Sequence, residues 1–193
     1  MSKRETVGLG RTAEILSWNK NQVLKLLREG WSLSSAKWEE NIARKIYERG
    51  LPVPAVFGIV EVNGRHGIIY ERVNGPSMLS LMIAKPEKIE YFADMFAKLH
   101  AQMHSIESAE FPPQRQRIER KIHDAEPLPQ NRKKAALEAL RKLPDGSVVC
   151  HGDFHPDNII MSSRGPGIID WSDATQGNPH ADIARTLLLL QQG

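Results

Sequence analysis

His151-Gly152-Asp153-Phe154-His155-Pro156-Asp157-Asn158 is followed shortly by Ile168-Ile169-Asp170-Trp171. A carboxylate at Asp153, an amide at Asn158 and a second carboxylate at Asp170 form one chemical set. Such a set is suited to accepting a proton from a hydroxyl and to holding magnesium on the phosphates of a nucleotide. The residues in between fit this reading. Ile159-Ile160-Met161 predicts a short strand, Ser162 to Gly167 is dense in turn formers, and Ile168-Ile169-Asp170 predicts the returning strand. A hairpin of this kind brings Asp170 back beside Asn158. Any one of these residues alone would read as a helix cap in a surface loop; the joint spacing and strand context favour the metal and phosphate reading.

The chain is long enough, at 193 residues, to bury a real core as one domain or two small lobes. It is 40% hydrophobic and 25% charged, ordinary for a soluble globular protein. The C-terminal apolar run, Leu187 to Leu190, is far too short to span a bilayer. No apolar stretch follows Met1-Ser2-Lys3-Arg4-Glu5, so no signal peptide is read there. Cys150 is the only cysteine, which excludes an internal disulfide and points to a reducing, cytoplasmic setting. A net charge of +3 is too small to indicate nucleic acid by itself. Its distribution says more: the residues after Cys150 are rich in Asp, as a metal and phosphate site requires, whereas Arg115 to Lys134 is rich in Lys and Arg and reads as a solvated helical face.

No internal repeat or low-complexity segment is present. Thr6 to Leu16 reads as strand, glycine turn, strand; Trp18-Asn19-Lys20-Asn21 as a turn; and Gln22 to Leu27 as a third strand. A helix is predicted from about Ser35 to Arg49, stopped by Gly50. Ala55 to Val62 and Gly67 to Val73 read as strands joined by the hairpin signal Asn63-Gly64. Beyond Pro76 the pattern turns helical. Pro86 suits a helix first turn, and Phe92, Phe96, Leu99, Met103 and Ile106 recur at helical spacing. Further helices are predicted over Arg117 to Ala125 and Arg132 to Leu143, before Ser147 to Cys150 leads into the opening motif. The fold class expected is α+β and bilobal. An N-terminal antiparallel sheet with one helix occupies residues 1–73, and a mainly helical lobe carrying the hairpin occupies 74–193.

The N-terminal lobe offers the rest of a nucleotide site. Gly8 and Gly10, between two short strands, would let backbone amides approach phosphates, though two glycines in a hairpin are often only a turn. Lys25 lies among Val23, Leu24, Leu26 and Leu27, where a buried ammonium needs a counter-ion or a ligand. The helix supplies Glu39 and Glu40. Glu39 shares a face with Ile42, Ala43 and Ile46, whereas Glu40 is spaced to pair with Arg44. Glu39 is therefore the expected partner of Lys25.

These residues together resemble the aminoglycoside phosphotransferase and choline kinase group, which shares the bilobal protein-kinase-like fold. The likeness rests on HGDFHPDN (151–158), IIDW (168–171), LPVPAV (51–56) and Gly177-Asn178-Pro179-His180-Ala181-Asp182-Ile183-Ala184. The spacing from Asp153 to Asn158 equals that of the kinase catalytic loop. The resemblance implies transfer of the ATP γ-phosphoryl group to a hydroxyl of a small molecule. Asp153 would be the base, Asn158 and Asp170 would bind Mg2+, and Lys25, steadied by Glu39, would hold the α- and β-phosphates. The strand ending at Tyr70 would run into the hinge, with adenine bonded by backbone groups of Glu71 and Val73. His151 and His155 look like scaffolding, and Asp182 resembles a buried helix-start Asp that braces the catalytic loop. The protein-kinase DFG is IDW here, which suits the small-molecule branch. Family members continue with helices that build the acceptor pocket. This chain ends at Gly193, so a truncated or compact lobe is expected.

Three rival readings stay open. One is a non-catalytic nucleotide binder or scaffold of the same fold. Another is a metal-dependent hydrolase using His100, His104, His151 and His155; the first two are four apart on a helix, but no H-E-x-x-H arrangement is present. The third, a nucleic-acid binder through Arg115 to Lys134, lacks any aromatic platform in that segment. The expected partner is thus a small-molecule hydroxyl substrate, with no nucleic acid and no membrane. Oligomeric state is not readable, although an exposed Leu187 to Leu190 stripe favours self-association.

Overall fold

A computed structural model of the protein describes residues 5–10 and 12–192. The strands are β1 (Thr6–Leu9), β2 (Ala13–Asn19), β3 (Gln22–Leu27), β4 (Val56–Val62), β5 (Arg65–Glu71), β6 (Val148–Cys150), β7 (Ile159–Ser162), β8 (Gly165–Ile168) and β9 (Thr175–Gly177). The helices are α1 (Leu33–Glu48), α2 (Met78–Ala84), α3 (Ile89–His104), α4 (Gln114–Asp124), α5 (Gln130–Arg141) and α6 (Pro179–Gln192). The fold is α+β. The chain forms two compact units: the described residues up to Pro86 together with Pro156–Ser172, and Glu87–His155 together with the described residues from Asp173 onward.

The first unit is built on an antiparallel five-stranded sheet of order β1-β2-β3-β5-β4. Helix α1 buries Ala36, Glu39, Ile42, Ala43 and Ile46, residues at helical spacing on one face. Its start is capped by Ser32, whose hydroxyl accepts from the Ser35 amide. Ala13, Leu27, Ala36 and Ile68 form a buried cluster joined by Val56, Ile59 and Tyr70. Hairpin β7–β8 belongs to this unit. The Ile168 amide donates to the Pro52 carbonyl at 2.7 Å, and the Met161 amide to that of Pro76 at 2.8 Å.

In the second unit α3 buries Phe92, Leu99, His100 and Met103. Strands β6 and β9 pair antiparallel, with Cys150 opposite Thr175. Phe154 is fully buried and stacks on Phe96 at 4.5 Å between ring centroids. Helix α6 leaves Leu187, Leu188 and Leu190 about half exposed. No described helix is long and apolar enough to cross a membrane.

Several element boundaries differ from expectation for local reasons. The turn expected over Trp18–Asn21 narrows to Lys20 and Asn21, because the Asn19 carboxamide accepts from the Asn21 amide and donates to Gln22, closing the hairpin itself. Asn63 and Gly64 both take positive φ, 52° and 75°, so β5 begins directly at Arg65 rather than at Gly67. Gly8 is paired with Ile15 inside β1, not in the turn, which falls after Leu9; Arg11, expected in this stretch, lies outside the described residues, as do Met1 to Arg4 and Gly193. Pro86 opens a 3-10 turn, Pro86–Lys88, and the α-helix starts behind it. Ile106 leaves the helical stripe, and its carbonyl accepts from the Val149 amide at 2.9 Å. Helices α4 and α5 start earlier than expected, each directly after a proline, Pro113 and Pro129. Strand β8 spans Gly165–Ile168, so Asp170 stands beyond the strand rather than within it.

Candidate active site

In the first unit, three side chains from distant parts of the sequence meet. Lys25, on β3, is buried and directs its Nζ to Glu39 Oε1 at 2.6 Å and to Asp170 Oδ1 at 2.9 Å. Burial works against the ammonium charge, but the charges of Glu39 and Asp170 and their hydrogen bonds outweigh it and raise the Lys25 pKa. Glu40, by contrast, pairs with Arg44 one turn along the helix surface. Tyr70 adds a partner that sequence reasoning missed: its hydroxyl donates to Glu39 Oε1 at 3.1 Å. The available signal was alternation, since Tyr70 lies two residues from Ile68, which sits opposite Lys25 across β3–β5. Burial, then the Glu39 charge, pushes the Tyr70 phenol well above its ordinary value, so it stays a donor.

Removing one member of the buried Lys25–Glu39 pair should cost more than removing the pair whole. Glu39→Ala leaves Lys25 with Asp170 alone and Tyr70 without its carboxylate. Urea unfolding should show a loss of about 2–4 kcal/mol for it, and a clearly smaller loss for the Lys25→Met/Glu39→Leu double variant. Equal losses in both would contradict this account.

Asp170 has φ +61°, in the left-handed region that a non-glycine residue occupies at a cost of about 1–3 kcal/mol. Lys25 and the Ser172 hydroxyl, at 2.9 Å, hold its Oδ1. The Asn158 carbonyl accepts from the Ile169 amide at 3.0 Å, so the hairpin ties Asn158 to the residue before Asp170. The oxygen donors of Asn158 and Asp170 are hard ligands. One cation between two carboxylates also leaves the Lys25–Glu39–Asp170 group with a net single negative charge. Both features fit a divalent magnesium ion.

The other residues expected at a nucleotide site in this unit are placed as follows. The Gly10 amide donates to the Ala13 carbonyl at 2.9 Å, and its own carbonyl accepts from Arg28. Gly8 lies in β1. The Glu71 amide donates to the Ala55 carbonyl at 2.8 Å, and its carboxylate pairs with Arg164. Val73 lies against Gly167, where an added Cβ would sit 3.4 Å from Val73 Cγ1.

In the second unit, Asp153 sits half-buried after the sharp turn at Gly152, whose φ is +78°. The Asp153 amide donates to His151 Nδ1 at 3.2 Å. His155 Nε2 stands 3.7 Å from Asp153 Oδ2, and Arg185 Nη2 3.6 Å from Oδ1. His155 foremost, against partial burial, and then His151 and Arg185 hold the Asp153 carboxyl below its ordinary value. It therefore remains ionised. Gly152 has no room for a side chain: a Cβ there would lie 2.6 Å from the Asp173 carbonyl oxygen. Gly152→Ala should lower Tm by roughly 4–10 °C, from a strained φ and a backbone clash. An unchanged melting curve would show that the turn relaxes freely.

The turn is anchored from α6. Asp182, almost fully buried in the first turn of that helix, accepts from the His151 amide at 3.0 Å and the Gly152 amide at 2.8 Å. His100 and His104 of α3 reach the same carboxylate at 3.1 and 3.0 Å. Burial opposes the Asp182 charge, but the hydrogen bonds from the two histidines and the two amides hold its pKa far below the carboxylate range. Thr186 donates to the Phe154 carbonyl at 2.9 Å, fixing the same loop one turn further along α6.

Solved structures share this fold. The aminoglycoside-3'-phosphotransferase of type VIII superposes with a TM-score of 0.62 at 22% identity, over 97% of this chain and 76% of that one. Aminoglycoside phosphotransferase APH(3'')-Id from Streptomyces rimosus gives 0.63 at 17%, over 98% and 78%. The streptomycin–ATP–APH(2'')-IIa ternary complex gives 0.58 at 18%, over 94% and 69%. The architecture is thus the kinase-like one of these small-molecule phosphotransferases. Residues 10–192 match the family described as the phosphotransferase enzyme family, and the chain belongs to that family.

Proposed function

We propose that this chain transfers the γ-phosphoryl group of ATP to a hydroxyl of a small molecule, with Asp153 as the base. The observation that carries the reading is the buried Lys25–Glu39 pair joined to the part-exposed Asp170 in a member of the phosphotransferase enzyme family. Residues 1–73 would serve the nucleotide and 74–193 the chemistry. Lys25, steadied by Glu39, binds the α- and β-phosphates. Gly8 and Gly10 lie along the phosphates, and backbone groups of Glu71 and Val73, beyond Tyr70, bind adenine. Asn158 and Asp170 hold Mg2+, which when bound neutralises phosphate charge. Asp153, kept ionised by its neighbours, orients the acceptor hydroxyl and takes its proton. Little covalent chemistry falls to the protein; alignment and charge neutralisation carry the rate. A cytoplasmic location suits an ATP-consuming enzyme with one buried, unpaired cysteine.

The matched structures include one with streptomycin and ATP and one with ADP bound. An aminoglycoside acceptor is a polycation, whereas this chain carries a net charge of +3. The test is ATP consumption and product mass against a panel of aminoglycosides, sugars, amino alcohols and hydroxy amino acids. Acceptor-dependent ATP loss with a product heavier by one phosphoryl group is expected for one class. Full occupancy by ATP with no phosphorylated product from any class would favour a nucleotide-binding scaffold instead.

A further inference from the structure

We propose that His100, His104 and Asp182 form a binding site for a zinc-class divalent ion, lying wholly within the helical unit. The inference does not rest on the phosphotransfer reading. His100 and His104 are one helical turn apart on α3, so both imidazoles leave the same face. Their Nε2 atoms converge on Asp182 Oδ2 at 3.1 and 3.0 Å, and the three ligand atoms all lie within 4.8 Å of one another. Zinc binds imidazole nitrogen and carboxylate oxygen at about 2.0–2.2 Å, which in a tetrahedral site separates neighbouring donors by about 3.3–3.5 Å. The two nitrogen–oxygen spacings need to open by only a few tenths of an ångström.

The surroundings complete the case. The Asp182 carboxylate is oriented by the His151 and Gly152 amides, the outer hydrogen bonds that a metal-ligating carboxylate typically has. A groove of about 580 Å³ along α3 and α6 is lined by both histidines together with Phe96, Ile183 and Leu187, giving an ion a route in. Two nitrogens and one oxygen suit zinc and disfavour magnesium, which prefers oxygen alone. Binding needs each imidazole neutral with its proton on Nδ1; the ion then replaces two N–H···O contacts with two nitrogen bonds and one oxygen bond. The third ligand comes from 78 residues beyond His104, which is why no H-E-x-x-H pattern announces it.

The experiment is a zinc titration of the EDTA-treated full chain, read by bound metal after dialysis, by Tm, and by the visible spectrum with cobalt in place of zinc. One zinc per chain, a Tm rise reversed by EDTA, and intense tetrahedral cobalt bands are expected, with no competition from millimolar magnesium. His104→Gln keeps an N–H for Asp182 but is a poor ligand, and should weaken zinc binding at least ~100-fold. His180→Ala, at an exposed position, should change nothing. No stoichiometric zinc, no tetrahedral cobalt bands in the unaltered chain, or equal affinity in a folded His104→Gln would overturn the proposal.

Discussion

Asp153→Ala is expected to lower kcat for phosphoryl transfer by about 10²–10⁴-fold, the usual contribution of a positioned base, while the affinity for magnesium–ATP stays within about twofold. The separation of the two effects follows from where the residues sit. Asp153 belongs to the helical unit, and its charge is maintained by His155, His151 and Arg185 of that unit. Lys25, Glu39, Asn158 and Asp170 all belong to the sheet unit. Truncating Asp153 leaves its backbone amide free to keep its bond to His151, so the loop keeps that anchor. Single-turnover rates and equilibrium nucleotide binding, measured on the same preparation, check the prediction. A variant that turns over at the parental rate would remove Asp153 from the mechanism.

Asp182→Ala should be the most destabilising single change in the helical unit, by about 3–5 kcal/mol. Four donors converge on that buried carboxylate: the His151 and Gly152 amides and the His100 and His104 rings. Without it, two amides and two rings, each buried or part-buried, lose their acceptor at once. Tm should fall by roughly 6–20 °C. The pH dependence has a definite sign. The folded-state pKa of Asp182 is depressed, so its stabilisation is complete above the unfolded value of about 3.9 and is lost as pH falls through that value toward the folded one. The parent chain should therefore lose stability steeply below about pH 4, and Asp182→Asn should show a shallower acid limb. Parallel limbs in the two proteins would mean that other carboxylates dominate acid unfolding.

Much of this architecture is legible in the residue order because local rules and the fold agree. The Asn63-Gly64 hairpin and the apolar stripe of α3 each follow from a single physical rule. Glu39 rather than Glu40 meets Lys25 because it shares the apolar face of α1, and the 2.6 Å contact reflects that geometry. The features not legible in the residue order depend on contacts between segments far apart. Nothing within the β5 sequence says that the Tyr70 hydroxyl meets Glu39. Nothing near His100 and His104 says that a carboxylate from α6 lies between them. The hairpin β7–β8 illustrates a subtler failure. Turn formers from Ser162 to Gly167 hid a two-residue turn, so β8 runs through Gly165 and Pro166, and Asp170 stands beyond the strand at positive φ. That placement matters, because it turns the Asp170 carboxylate to Lys25.

The central claim is that Lys25, Asn158 and Asp170 hold a magnesium–nucleotide. Calorimetric titration of ATP, with and without magnesium, into the parent chain, Lys25→Met and Asp170→Asn tests it most directly. The account predicts one site per chain whose affinity rises with magnesium in the parent. Asp170→Asn should lose that magnesium-dependent gain, and Lys25→Met should weaken binding under both conditions. Absence of ATP binding by the folded parent chain, or equal magnesium dependence in all three proteins, would contradict it.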